Sequence, residues 1–510
     1  MKTIYKYMCL GLMSVALPLT LAGCSDDDEK LVKGTQITVC YNGKSIDAPL
    51  EFSLGAGFQM LSVSCDGDWT ATLDDTSIEY DATDSVQLND GNRWISLSNH
   101  AGYPDRVVTD EDTTYCSWVK LQFKYNESED RTANITFRSG DVSKTICISQ
   151  QGAGADPGDF FMTAYMLREQ LGIGYNLGNT LESDPDITLA STKKWFKNYQ
   201  NDLAWETIWG QPVTTQELID TIVSRGFNIV RVPVTWFPHM DEDGTIREVW
   251  MNRVQEVVDY VVSTGAYCII NVMHDTGAAN GRTDGGGWLK ADLDDYPTST
   301  IKYQNIWQQV ATRFRDYDEH LLFESFNEIL DNDDNWGDPS KSTAYTAINK
   351  LQQDFVNTVR ATGGNNEYRN LLITTYGAGH SQAKLDGFQV PTDVHRGHLM
   401  ATIHSYDPYN FCNDNGEWNV FMFDDACKKE IDDMFSMINS RFNELGIPYI
   451  FGEFGAIDEE YKDMGERVKY AQYLRQKFED YNTTGLWWMG LINRSALSWY
   501  EPEIVSALQD

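Results

Sequence analysis

Residues 320–328 read HLLFESFNE, a short apolar run that ends in Asn327-Glu328. A run this short and this apolar fits a strand buried on both faces. Seven other stretches share the build: IGYNLGN (173–179), FNIVRVPV (227–234), AYCIINVMHD (266–275), NLLITTYG (370–377), LMATIHSYD (399–407), IPYIFGEFG (447–455) and TGLWWMG (484–490). Amphipathic helical patterns fall between most of them, at 214–224, 247–263, 303–315, 343–361, 426–444 and 463–480. Strands of this kind with helical crossovers indicate a parallel sheet. Eight such units over about 350 residues indicate a (β/α)8 TIM barrel rather than an open doubly wound sheet. No GxGxxG follows any of the runs, which argues against a dinucleotide-binding fold.

The barrel pattern occupies residues 160–510, and what precedes it has another texture. Residues 152–159, GAGADPGD, make a short linker. Residues 35–151 carry runs such as QITVCYNG, FQMLSVSC, WTATL, VKLQFKY, RTANITFRS and VSKTICISQ, separated by Gly, Asn and Asp. They predict a small all-β, immunoglobulin-like sandwich. Gly67-Asp68-Trp69 followed by a closing strand that ends in Gln150-Gln151-Gly152 resembles the BACON family, although the insert at 84–116 is longer than its compact repeat. That resemblance implies a spacer more than a sugar binder.

Residues 1–24, MKTIYKYMCLGLMSVALPLTLAGC, begin with Lys2 and Lys6, continue in an apolar stretch and end in Leu21-Ala22-Gly23-Cys24. This order predicts a signal peptide over 1–23 with a lipobox, cleavage before Cys24 and lipidation of its thiol. Residues 24–34 then form a tether, and the acidic run Asp26-Asp27-Asp28-Glu29 resembles the surface-export tag of Bacteroidetes lipoproteins. The expected location is the cell surface, on the outer membrane, with membrane contact through the lipid anchor alone. Two of the nine cysteines, Cys9 and Cys24, are accounted for in this way. The remaining seven show no metal-binding spacing, and their odd number leaves at least one thiol unpaired within the chain.

A net charge of −36 repels nucleic acid and anionic lipid and suits a neutral polymer. Fifteen tryptophans serve a core and a sugar-binding cleft equally well.

Polar residues at the C-terminal ends of barrel strands face the active site. Asn179 closes the first run, Arg231 lies inside the second, and His274-Asp275 end the third. Asn327-Glu328, Tyr376, His404 with Tyr406, Glu453 and Trp487-Trp488 fall at the ends of the remaining five. Charges inside apolar strands must be paired or functional, because their desolvation is costly. Two carboxylates on nearly opposite strands suit the hydrolysis of an acetal, where one acid protonates the leaving oxygen and the other attacks C1 or activates a water. Arg231 and Tyr406 are placed to hold Glu453 as a carboxylate, while Glu328 must keep its proton near neutral pH. Asn327 is placed to bind a sugar 2-hydroxyl. A metal hydrolase built on His274, Asp275 and His404 is the rival chemistry, but it lacks an HxH pair on the first strand and a metal-bridging lysine.

The segments Gly174-Tyr175-Asn176-Leu177-Gly178-Asn179-Thr180, Glu206-Thr207-Ile208-Trp209-Gly210, Phe323-Glu324-Ser325-Phe326-Asn327-Glu328, Ile403-His404-Ser405-Tyr406 and Gly452-Glu453-Phe454-Gly455 together resemble glycoside hydrolase family 5 of clan A, over about residues 165–508. The Gly-Asn-Thr and Glu-Thr-x-Trp-Gly segments are similar to its subfamily 4, which contains endo-β-1,4-glucanases, xyloglucanases and mixed-linkage glucanases. The resemblance implies Glu328 as acid/base, Glu453 as nucleophile, Arg231, His274, Asn327, His404 and Tyr406 as supporting residues, and Trp488 under the −1 sugar with Trp487 as the alternative. Met273 stands where the family usually has a first His, and Met489-Gly490 where Asp-Asn is usual. Asn179, Trp236 and His239 are expected in substrate contact, with Trp209, Trp288, Trp336 and Trp418 as further candidates. The inserts Thr276–Asp294 and Leu330–Ser342 either shape subsites or decorate the surface. The reading is a monomeric, retaining endo-β-1,4-glucanase that acts on β-glucan and needs no cofactor or metal. It is expected to stand near other surface glycan-uptake proteins. Xyloglucan is the alternative substrate, and a catalytically decayed surface glycan-binding protein the alternative function. Retention requires the two carboxyl groups about 5–5.5 Å apart rather than about 6.5–9.5 Å.

Overall fold

Alternation along each strand decides which residues of the C-terminal unit face the barrel axis and which face the helices. The computed structural model describes residues 32–41, 44–52, 57–74, 94–97, 100–102, 104–108, 113–123, 130–150, 161–241, 244–413, 419–457 and 463–510. Two units divide the chain, Met1–Pro157 and Gly158–Asp510. Cys24, the linker residues 152–159 and Trp418 lie outside the described residues.

The N-terminal unit holds two five-stranded sheets. One runs Lys44–Ser45, Ile37–Tyr41, Gly57–Cys65, Ser117–Phe123, Ile95–Leu97, and the other Leu50–Phe52, Val142–Gln150, Arg131–Ser139, Trp69–Asp74, Ala101–Gly102. Pairing is antiparallel except between Leu50–Phe52 and Val142–Gln150. The insert at 84–116 thus supplies an edge strand to each sheet. Trp69 is buried among Leu61, Val63, Ile135 and Phe137. Gly102 passes so close that a Cβ would stand 2.3 Å from the Trp69 ring, so only glycine fits there.

In the C-terminal unit eight parallel strands close on themselves in chain order. They are β1 (Gly174–Asn176), β2 (Ile229–Val232), β3 (Tyr267–Ile270), β4 (Leu321–Glu324), β5 (Leu371–Thr374), β6 (Leu399–Ser405), β7 (Tyr449–Phe454) and β8 (Gly485–Trp488), with β8 pairing back onto β1. The helices that follow them are α1 (Gln216–Ser224), α2 (Glu248–Val262), α3 (Tyr296–Arg313), α4 (Thr343–Ala361), α5 (Gln382–Gly387), α6 (Asp425–Leu445), α7 (Met464–Asp480) and α8 (Pro502–Gln509). Helix α3 starts at Tyr296, earlier than the expected 303. Its opening YPTST carries no apolar period, yet Pro297 is at ease in a first turn that needs no N–H donor. None of the described helices is long and apolar enough to cross a membrane.

Ile229, Ile269, Leu322, Leu372, Met400, Ile450 and Leu486 form one buried cluster with Ala164 and Leu167 of the helix Ala164–Gln170, which plugs the barrel floor. Their strand neighbours Val230, Cys268, Phe323, Ile373, Ile403, Phe451 and Trp487 belong instead to the larger core that the helices cover. Strand β7 breaks the alternation. Phe451 faces Gly485 and Phe454 faces Trp487, so β7 advances three residues against two on β8. The same extra residue appears against β6, between the pairs Ile403–Phe451 and His404–Glu453. This bulge turns Glu453 toward the barrel axis.

All seven cysteines among the described residues are free thiols, so burial holds the fold. Arg369, fully buried before β5, donates to the carbonyls of Phe314, Tyr317, Asp318 and Leu321 and to Asn366 Oδ1. Arg369→Met should leave those carbonyls unpaired and destabilise the barrel by at least about 3 kcal/mol, read by denaturant unfolding.

Candidate active site

Arg231 lies on the inward face of β2, one step above the apolar layer, and is fully buried. A buried guanidinium is tolerable only if every N–H is met. Here all five are. Nε and Nη2 donate to the two oxygens of Glu324 at 2.6 and 3.0 Å. Nη1 donates to Asn176 Oδ1 at 3.0 Å and to Glu453 Oε1 at 2.8 Å. The second Nη2 proton goes to Asn327 Oδ1 at 2.8 Å. Burial works against the charge, but Glu324 and Glu453 outweigh it and hold Arg231 firmly protonated.

These bonds orient the site. Because Asn327 Oδ1 accepts from Arg231, its amide NH2 is turned away and can only donate. Asn176 uses its own NH2 on the carbonyls of Gly452 and Leu486, at 2.9 and 3.1 Å, and so pins the bulge beneath Glu453. The other oxygen of Glu453 accepts from the Tyr406 hydroxyl at 2.8 Å. Burial first, and then the Glu453 charge, keeps that phenol protonated. Glu453 is therefore an enclosed carboxylate between two strong donors, with a side chain 6% exposed.

Glu328 sits in a different setting. Its side chain is 21% exposed, and its one charged neighbour at bonding distance is His404, whose Nδ1 lies 2.8 Å from Oε1. The same nitrogen is 3.7 Å from Glu453 Oε2. Burial disfavours a charged imidazole, but Glu453 and Glu328 together raise its proton affinity above the ordinary histidine value. Atoms of Glu328, His404 and Glu453 all lie within 4.8 Å of one another. One oxygen of Glu328 thus lies within 4.8 Å of one of Glu453, a spacing nearer the short carboxyl separation of retaining hydrolysis than the wide one of inverting hydrolysis. Among the described residues this is also the one group with metal-ligand spacing. Arg231 and Tyr406 already occupy both Glu453 oxygens, so the donor set suits acid–base work better than a cation.

Asp275, the expected partner in a rival metal site, is spent elsewhere. It accepts from the Trp236 backbone N–H at 2.7 Å and from Trp288 Nε1 at 2.6 Å. His274 is half-buried at the rim, edge-on to Trp209 at 5.6 Å, and burial pushes it down to about 4, so it is neutral. Asn179, half-buried, has φ +57°, a left-handed conformation that Asn tolerates. The enclosed Glu182 carboxylate fixes it there by accepting from the Asn179 and Thr180 amides.

Three residues expected against sugar are corrected. Trp236, 1% exposed, belongs to the core and donates its indole N–H to the Asn271 carbonyl. His239 is enclosed, 2.7 Å from Asp202 and stacked 3.6 Å from the Trp250 ring. Trp487 faces outward against Phe454. Trp488, two residues beyond inward-facing Leu486, is half-exposed and flanks Gly178, which leaves it as the ring facing the cleft. Trp336 is 54% exposed on the loop after β4. Glu324 and Asn176 escaped the sequence reading. Their signal was a charge and an amide placed on inward positions of otherwise apolar strands.

Both rim inserts are folded onto the barrel. Arg282 is clamped between Asp184 and Asp284, and Lys290 bridges Gly277 and Asp334. Tyr376 donates to the Asn335 carbonyl, and Asp331 accepts from the amides of Asp333, Asn335 and Ser340.

Residues 189–490 match the model of the cellulase family, glycosyl hydrolase family 5. Endoglucanase B of Neocallimastix patriciarum is 36% identical over 360 residues, covering 67% of this chain and 70% of that protein. A family 5 enzyme from Prevotella bryantii, solved as a mutant in complex with a xyloglucan tetradecasaccharide, superposes with a TM-score of 0.62 at 36% identity, covering 68% of this chain and 99% of that one. A broad-specificity endoglucanase from Ruminococcus champanellensis with bound cellotriose superposes with a TM-score of 0.61 at 35% identity, covering 68% and 99%.

Glu324→Gln removes one of the two carboxylates that share Arg231 and concentrates the guanidinium on Glu453. The expected result is a fall in kcat of roughly 10²-fold with the fold retained, checked by glucan hydrolysis beside circular dichroism.

Proposed function

The chain belongs to glycoside hydrolase family 5 and is an enzyme of the endo-β-1,4-glucanase type, and we propose that it hydrolyses β-glucan with retention, Glu453 as nucleophile and Glu328 as acid/base. The observation that supports this most is the short carboxylate gap, within 4.8 Å, between two glutamates in opposite settings. Glu453, whose two oxygens accept from Arg231 and Tyr406, attacks C1. The C1–O bond breaks as the proton of Glu328 passes to the departing glucosyl oxygen. Glu328 then takes a proton from water, whose oxygen attacks C1 and releases Glu453. The Asn327 amide donates toward the 2-hydroxyl, where bonding strengthens as the oxocarbenium-like state forms. Trp488 is the platform under the reacting sugar.

The favoured substrate is unbranched or mixed-linkage β-1,4-glucan. Xyloglucan is the second reading, favoured by the similarity to an enzyme that holds a xyloglucan oligosaccharide. Initial rates on barley β-glucan, carboxymethyl cellulose and tamarind xyloglucan, with Glu453→Gln as the blank, test both. Rates on unbranched glucans should lead, and Glu453→Gln should cut them by at least about 10³-fold. A strong xyloglucan preference would replace the first reading, and no rate above the blank would leave a glycan-binding protein. Anomeric products followed by proton NMR should be retained.

The proposal extends to the remainder of the chain. Residues 35–151 act as an immunoglobulin-like, BACON-like spacer, a reading supported by the enclosed Trp69 beside its Gly67-Asp68 turn. Cys24 carries the lipid that fixes a monomeric enzyme at the outer surface, supported by the Leu-Ala-Gly-Cys order of 21–24. Cys24→Ser should move activity from the membrane fraction to the soluble one; activity that stays with the membrane would refute the anchor.

A further inference from the structure

His404 is the one side chain within hydrogen-bond reach of the Glu328 carboxyl among the described residues, and only its Nδ1 is engaged there. Its Nε2 is buried without a protein partner. Two residues earlier on the inward face of β6, the hydroxyl of fully buried Thr402 also lacks a partner. Both atoms lie against Gly452 at the β7 bulge: a Cβ there would stand 2.5 Å from Thr402 Oγ1 and 3.1 Å from His404 Nε2, so any larger residue would press on both. Two enclosed polar atoms without protein partners beside one glycine are a pair that a single buried water can bridge.

We propose that Thr402 is a positioning residue for the acid/base: through one enclosed water its hydroxyl partners His404 Nε2 and thereby keeps the Nδ1 proton directed at Glu328 Oε1. The inference rests on Glu328 being the acid/base. Which imidazole nitrogen carries the proton is set by the bond that the other makes. When His404 is charged, its Nε2–H donates toward Thr402. When it is neutral, the hydroxyl, itself both donor and acceptor, donates back through the water and leaves the proton on Nδ1. In either state Oε1 of Glu328 accepts from His404, and Oε2 is left to give its proton to the leaving oxygen and later to take one from water. Without Thr402, the neutral imidazole can present a bare Nδ1, draw the Glu328 proton onto Oε1 and aim it away from the substrate. The neutral form of His404 gains once Glu453 is esterified, because one of the two carboxylates that support its charge is then gone. The other charged and titratable groups around the pair are Arg231, Tyr406, His274 and Lys384. None of them reaches Nε2.

The test compares Thr402→Val, nearly the same shape without the hydroxyl, with Thr402→Ser, which restores it. Two substrates are used, β-glucan and an aryl cellobioside whose leaving group needs no protonation. For Thr402→Val, kcat/KM on glucan should fall roughly tenfold while that on the aryl cellobioside changes less than about twofold, and Thr402→Ser should recover most of the loss. The 15N shifts of His404 should show the Nδ1–H form in the native enzyme and lose it in Thr402→Val. Equal losses on both substrates, or none on either, would overturn the proposal. Glu328→Ala on the same substrate pair keeps the two ideas apart, since a variant without leaving-group dependence would sink the acid/base assignment itself.

Discussion

A full positive charge with no access to water is the constraint around which this barrel is arranged. Arg231 can sit at the axis only because five oxygens meet its five N–H groups. Those oxygens come from the region of β1, β4 and β7, on both sides of the barrel mouth, so the guanidinium acts as a gauge that fixes how far apart these strands can stand. It sets the Asn327 amide as a pure donor and fixes the direction of Glu453 Oε1. Glu324 supplies the second carboxylate, without which the arginine would lean wholly on Glu453.

The eight strands were legible because each is apolar on both faces, and the polar residues at their ends marked the mouth of the barrel. Arg231, Glu328 and Glu453 could be named from that pattern alone. Glu324 and Asn176 could not be separated from the motifs around them, since their importance lies in a partner on another strand. Trp487 and Trp488 were open alternatives, yet strand parity divides them: Leu486 belongs to the axial cluster, so Trp488 faces in and Trp487 out. Trp236 and His239 were misplaced for a different reason. They lie beyond β2, where loop packing rather than alternation decides exposure, and Asn271, Asp275, Asp202 and Trp250 enclose them.

In sequence, the acidic rim inserts read equally as subsite walls or as surface decoration. In the folded chain many of their carboxylates bind backbone. Asp331 gathers three amides of its own loop, and Asp334 receives those of Ala279 and Asn280 together with Lys290. A carboxylate that accepts several N–H bonds replaces the secondary structure such a loop lacks. The mouth of the site is thereby shaped by loops whose geometry is fixed before any substrate arrives.

Between Phe451 and Phe454 the chain carries one residue more than a regular pleat requires, and that surplus is what aims Glu453 inward. The sheet gains nothing from it, because the ladder is interrupted against both neighbours. Stability and chemistry thus pull in opposite directions at this one place. Removing one residue here would restore regular pairing and turn Glu453 away from the axis, so a segment of this length can serve the ladder or the mouth of the barrel but not both.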